Sequence, residues 1–196
     1  MQSTIDSQTA RDELFKRIGR NVVNFQYFEA TLRIMIPALY MQGTLKELQA
    51  KQDEVLRKYK KATLGALANA YHERVYGKNV EDEALPDERL SEPRFAFSLH
   101  LELTQEAAAQ HKRALMMLIV ERNRLIHEDL LSVNLKSREE CQELSARLDE
   151  QYTRIRRHLD YLNSLRTGFQ ELASEFGRLL ESDEFLALLR GECGEA

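Results

Sequence analysis

Tryptophan is absent from this 196-residue chain, and cysteine, proline and glycine are scarce at two, three and eight residues. Cys141 and Cys193 are too few and too far apart for a disulfide framework or a zinc site, which points to a reducing, cytoplasmic setting. No apolar run reaches the roughly 18 residues of a membrane span, so no membrane partner is expected. The opening MQSTIDSQTARDELF lacks the basic and apolar regions of a signal peptide. A Gly-rich phosphate loop, a nucleophile elbow and a zincin motif are also missing, so ATP-driven and metal-hydrolytic chemistry have no support. His72, His100, His111 and His158 show no metal-ligand spacing with one another or with the cysteines. Neither a metal nor a cofactor is called for.

Charge, by contrast, is plentiful: 31% of the residues carry it, and the formal net charge is −4. With so little Gly and Pro this is the composition of a soluble helical protein. The length is that of one domain, enough to bury roughly 70% of the unfolded surface. A nucleic-acid partner would have to be held by a local basic patch, since the overall field repels it.

Along the chain, residues 1–10 and 191–196 read as disordered ends. Residues 11–40 repeat apolar side chains at three-four spacing, from Leu14 and Ile18 to Ile36 and Leu39, which predicts a helix. Pro37 should end or kink it near the preceding residue. Glu29 lies in the middle of that apolar stripe and wants a cation. Gly43 and Thr44 form a turn, with Thr44 as N-cap of a second helix over 45–76 that Gly77 ends. Lys51, Arg57, Lys58, Lys60 and Lys61 make its basic side, read as a solvated face or, through Lys58, a phosphate-facing patch. Residues 77–94 hold two prolines and an excess of acid and read as an exposed loop. Residues 95–103 alternate at period two, as a strand does. A lone strand needs a partner, in the 77–94 loop or a second subunit; otherwise it is an extended segment clamped along the helices.

Thr104 is the expected N-cap of a helix reaching residue 131, and Ser137 opens a capping box for the longest periodic stretch. Over residues 137–181 one seam runs Cys141, Leu148, Ile155, Leu162, Phe169, Phe176, and the other Leu144, Gln151, His158, Leu165, Leu172, Leu179. Gln151 and His158 are its polar positions and read as register-setting. A continuous helix there is ~68 Å long, against a radius of gyration of ~16 Å for a compact chain of this size. It should therefore break, bend or extend, with Gly168 and Gly177 as weak points. The leftover seam suggests a homodimer. A short helix follows from Ser182 to about residue 189.

The centre of the chain is LMMLIVERNRLIHEDLL, residues 115–131. As a helix it is apolar nearly all round, and such a helix is enclosed by neighbours. Arg122 nonetheless falls in one apolar arc, and Asn123 and His127 share a side of the next. Charged groups are rarely buried without partners, so the trio is either an internal network or a site. Glu29 is the other misplaced charge, and the two are expected to approach each other, within the chain or across a subunit boundary. His111 lies on the arc of Arg122 and is a candidate cleft residue, although a satisfied core histidine is the plainer reading.

Residues 122–127, Arg-Asn-Arg-Leu-Ile-His, resemble the R-x4-6-H signature of the HEPN superfamily, including the polar residue directly after the arginine. The resemblance covers residues 11–181 in architecture and 122–127 in motif. It implies an all-α, HEPN-like helical bundle acting as a metal-independent endoribonuclease of toxin, phage-defence or stress-response type. It also implies a homodimer with two motifs facing each other in a composite cleft, held in check by a protein inhibitor or regulatory partner. On this chain His127 would be general base or acid on a ribose 2′-OH. Arg122 would hold the scissile phosphate, and Asn123 would orient the imidazole or bind a phosphate oxygen. Glu29 would support the site, and Arg124, His111 and Lys58 would contact RNA. The products expected are a 2′,3′-cyclic phosphate and a 5′-hydroxyl. Glu128-Asp129 stands where the minimal toxins of the family carry a tyrosine, so regulation through that tyrosine is not implied. Two acids there also repel phosphate. The alternative is a non-catalytic helical adaptor that docks a partner through its long heptad helix, with the motif serving only the core.

Overall fold

A computed structural model describes residues 2–77 and 94–189. The expected 77–94 loop, apart from its two end residues, and the 191–196 tail lie outside the described residues. The architecture is an all-α helical bundle with a long C-terminal helix and one small sheet. The chain divides into two compact units, residues 1–160 and 161–196, at a point within that long helix.

Helix α1 spans Gln2–Ala38, so the ordered helix starts nine residues before the expected residue 11. Arg138 donates to Asp6 at 3.1 Å, tying this first part of the helix to residues far along the chain. The predicted stripe is the core: Leu14, Phe25, Phe28, Leu32, Met35, Ile36 and Leu39 are buried. Helix α1 ends one residue after Pro37, which has no N–H to give the Arg33 carbonyl its helical bond. The Ile36 carbonyl, near that end, accepts from Arg74 at 3.0 Å.

Residues 40–44 were expected to close the helix and turn. They form strand β1 (Tyr40–Thr44), paired antiparallel with β2 (Arg94–Ser98) in the register Tyr40 to Ser98 and Thr44 to Arg94. The alternating segment thus finds its partner in neither the 77–94 loop nor a second subunit. Beyond β2 it is clamped along the helices, Leu101 donating to the Val75 carbonyl at 2.9 Å. Gly43 carries φ +154°, and a Cβ there would meet the Glu47 carboxylate at 3.0 Å. That space lets Glu47 close the capping box of Thr44 at the start of α2 (Leu45–Tyr59).

The single helix expected over 45–76 is two: α2, and α3 (Leu64–Tyr76). Arg33 of α1 explains the break. Its guanidinium donates to the Tyr59 and Ala62 carbonyls, both at 3.2 Å, taking acceptors a continuing helix would have used internally. Thr63 then caps α3 by accepting from the Ala66 N–H at 3.3 Å.

Helix α4 (Gln105–Arg124) is capped by Thr104 as expected and runs into a π turn, Leu125–Asp129, and a last turn α5, Leu130–Ser132. Helix α6 follows over Arg138–Leu180, unbroken through Gly168 and Gly177. Ser137 accepts from the Glu140 N–H at 3.2 Å, but the Glu140 carboxylate takes the Asn134 N–H instead, so half of the capping box forms. In the first unit the heptad seam is filled from within the chain: Cys141, Leu144 and Leu148 pack with Leu14 and Leu125. Gln151, a polar position of the seam, is buried and accepts from Asn21 of α1 at 2.9 Å. In the second unit Leu172, Phe176 and Leu179 of the same seam stand exposed. Helix α7 (Asp183–Leu189) ends the described chain, its start capped by Ser182.

Candidate functional site

The helix carrying the motif is not enclosed. Leu115, Leu118 and Leu125 are buried, but Met117, Val120 and Leu131 are 60%, 65% and 84% exposed. Apolar residues all round therefore reflect two uses, one face turned to the core and one left bare. Asn123 and His127 are exposed, and Arg122 is partly buried. Arg122 donates to Asn123 Oδ1 at 3.0 Å, a bond between neighbours at the surface. The trio thus forms no core network.

In a regular helix residues five apart point about 140° away from each other, at ~100° per residue. The π turn changes that phase. Its lengthened loop is closed by the Leu130 N–H on the Leu125 carbonyl, a bond spanning five residues. His127 sits at its middle, between buried Leu125 and Asp129.

Three residues of α6 at positions i, i+4 and i+7 grip this segment. Arg147 donates to Asp129 Oδ1 at 3.3 Å, Gln151 to the Glu121 carbonyl at 3.3 Å, and Arg154 pairs with Glu121 at 2.9 Å. Arg124 adds a second cation to Asp129 at 3.4 Å. The Asp129 side chain is only 13% exposed and its charge is compensated, so of the two acids expected to repel phosphate Glu128 alone faces solvent. Neither Arg147 nor the partnered role of Asp129 stands out in the sequence. The signal available was the helical spacing of Arg147, Gln151 and Arg154, which no pattern links to residues 121–129 in advance.

The other expected contributors lie elsewhere. Glu29 pairs with Arg33 on its own helix, one turn away, so within the chain its cation is not Arg122. His111 does not line a cleft with the motif. Its ring packs 4.9 Å from that of Tyr76, 6.2 Å from Tyr71 and 5.9 Å from His158. Burial, then the neighbouring His158 and His72, push its pKa down to about 4. Lys58 is exposed, its ammonium 5.6 Å from the Tyr59 ring, in a groove with Lys51 and Arg74. Of the neighbouring basic residues of α6, Arg154 is paired with Glu121 and Arg156 with Asp160, both at 2.9 Å.

Beside the grip is a groove of about 150 Å³ lined by Arg124, Arg147 and Arg154 with Glu121, Asp129 and Glu150. Sites for small molecules occupy roughly 300–1,000 Å³, so this groove is smaller than a nucleotide-sized pocket. A roomier groove, about 440 Å³, lies between α1 and the start of α6, away from the motif, and its Arg17 and Arg138 are already paired with acids. Among the described residues no cluster of His, Cys, Asp and Glu is arranged to hold a metal ion. No helix among them is long and apolar enough to cross a membrane. Compared with family models, curated proteins and solved structures, the chain matches none.

Proposed function

We propose that the chain is a metal-independent endoribonuclease of HEPN type, acting as a homodimer in which two motif surfaces close one cleft. The observation that carries this reading is the exposure of Asn123 and His127 on a bare apolar face. Met117, Val120 and Leu131 of the same stretch add exposed apolar surface that a second copy would cover, and large exposed apolar patches mark interaction sites. Facing copies would supply the walls that a single open motif lacks.

In this reading His127 takes the proton of a ribose 2′-OH, a task suited to an imidazole near neutral pH. The 2′-oxygen attacks the adjacent phosphorus, the 5′-oxygen leaves with a proton, and a 2′,3′-cyclic phosphate remains. Arg122, fixed by Asn123, offsets the charge that builds on the phosphoryl oxygens. Arg124 has its charge shared with Asp129 and is the nearest further cation for RNA. A role in phage defence or stress response, with an inhibitor to restrain cleavage, fits a nuclease that needs no cofactor.

The bare Leu172–Phe176–Leu179 seam favours a second reading, a partner-docking adaptor. Induced expression in a bacterial host separates the two. Growth arrest with degraded RNA, relieved by Arg122→Ala or His127→Ala, is the outcome for the nuclease. Unchanged growth and intact RNA at a high level of folded protein is the outcome for the adaptor.

A further inference from the structure

We propose that Asp129 is a positioning residue: gripped by Arg147 and Arg124, its carboxylate holds the π turn in the phase that turns His127 outward. The catalytic consequence rests on the nuclease reading, whereas the mechanical part stands without it.

A π turn is rare, and it persists where surrounding structure holds it. Here two anchors do so. Leu125 is fully buried with Leu14, Cys141, Leu144 and Leu148 and fixes the first residue of the turn. Asp129 fixes the last, through Arg147 at 3.3 Å and Arg124 at 3.4 Å. Upstream, Arg154 and Gln151 hold Glu121, so α6 grips the motif segment at both ends. His127 lies between the anchors. If the Asp129 anchor is lost, the turn can relax to the ordinary four-residue bond, which removes about one residue of phase, ~100°, across the turn and part of that at His127 relative to Arg122. Asp129 is suited to the task because it is mostly covered while both cations reach it from partly exposed positions. A carboxylate so placed loses more by losing its partners than an exposed one does.

The test uses the purified full chain with Asp129→Ala, the isosteric Asp129→Asn, and the exchanged pair Asp129→Arg with Arg147→Asp. Amide exchange at Leu130, whose N–H closes the turn, reports on it directly, and exchange at Ile155 in α6 controls for global stability. Asp129→Ala is expected to speed Leu130 exchange at least about tenfold with Ile155 unchanged. Asp129→Asn should speed it less, and the chemical shifts of the His127 ring should move. On an RNA oligonucleotide kcat should fall with KM little altered, and the exchanged pair should recover both readouts in part. Leu130 exchange equal to wild type in both single variants would overturn the proposal. A wild type that leaves RNA whole removes the nuclease reading and the kcat arm with it; Leu130 exchange then decides the grip by the same criterion.

Discussion

His111 and His158 lie 5.9 Å apart, ring to ring, and both are harder to protonate than a free imidazole. For His111 burial is the main cause, followed by His158 and His72, and its pKa falls to about 4; for His158 burial leads and Arg157 adds to it. Tyr71 and Tyr76 face His111, and Phe28 meets His158 edge to face at 6.4 Å. A folded pKa below the unfolded one means that the unfolded chain binds the proton first. For His111 stability is therefore fully present above about pH 6.5 and is lost as pH falls towards 4, at up to about 1.4 kcal/mol per pH unit, and His158 adds to the loss in the same direction. Urea midpoints measured from pH 7.5 to 4.5 should fall accordingly, and His111→Phe should flatten the curve. A midpoint independent of pH in that window would contradict the burial of these rings. Asp149 works at lower pH: burial raises its pKa, but the Arg17 and Arg20 bonds outweigh that and hold it below the usual carboxylate value.

Among the elements, the break between α2 and α3 depends on a few polar bonds. Thr63→Ala removes the cap of α3 and should cost about 1 kcal/mol. Arg33→Ala leaves the Tyr59 and Ala62 carbonyls without their guanidinium partner and should cost about 1–2 kcal/mol. Both losses are readable in urea unfolding, and no change in either variant would show that the break owes nothing to these groups. The same junction marks where the sequence stopped being legible. Apolar spacing on α1 and the first half of α6 was readable because it repeats along one element. The α2–α3 break was not, because Arg33 is 26 and 29 residues upstream of the carbonyls it satisfies. Strand β1 was hidden for a similar reason, its pairing partner β2 being some fifty residues away. At the candidate site Arg122, Asn123 and His127 were legible as a motif. The π turn and its hold by Arg147 and Asp129 depend on how α6 lies against residues 121–129, which local pattern does not encode.

For the whole molecule, the bare apolar side chains along α4 and α5 are the decisive feature. Met117, Val120 and Leu131 are large, apolar and exposed on the surface that carries His127. If a second copy covers them, Val120→Glu should shift sedimentation from dimer to monomer and abolish cleavage, without lowering the unfolding midpoint of the monomer. A Val120→Glu protein that stays dimeric would place the subunit contact elsewhere, with the exposed seam residues Leu172 and Leu179 the next to change.

The most direct measurement is cleavage of a labelled RNA by purified protein in the presence of EDTA, with the ends of the products identified, for wild type and His127→Ala side by side. A HEPN-type nuclease gives fragments ending in a 2′,3′-cyclic phosphate and beginning with a 5′-hydroxyl, with a loss of at least about 10²-fold in rate for His127→Ala. Intact RNA with folded, dimeric wild type, or equal cleavage by both proteins, would contradict it.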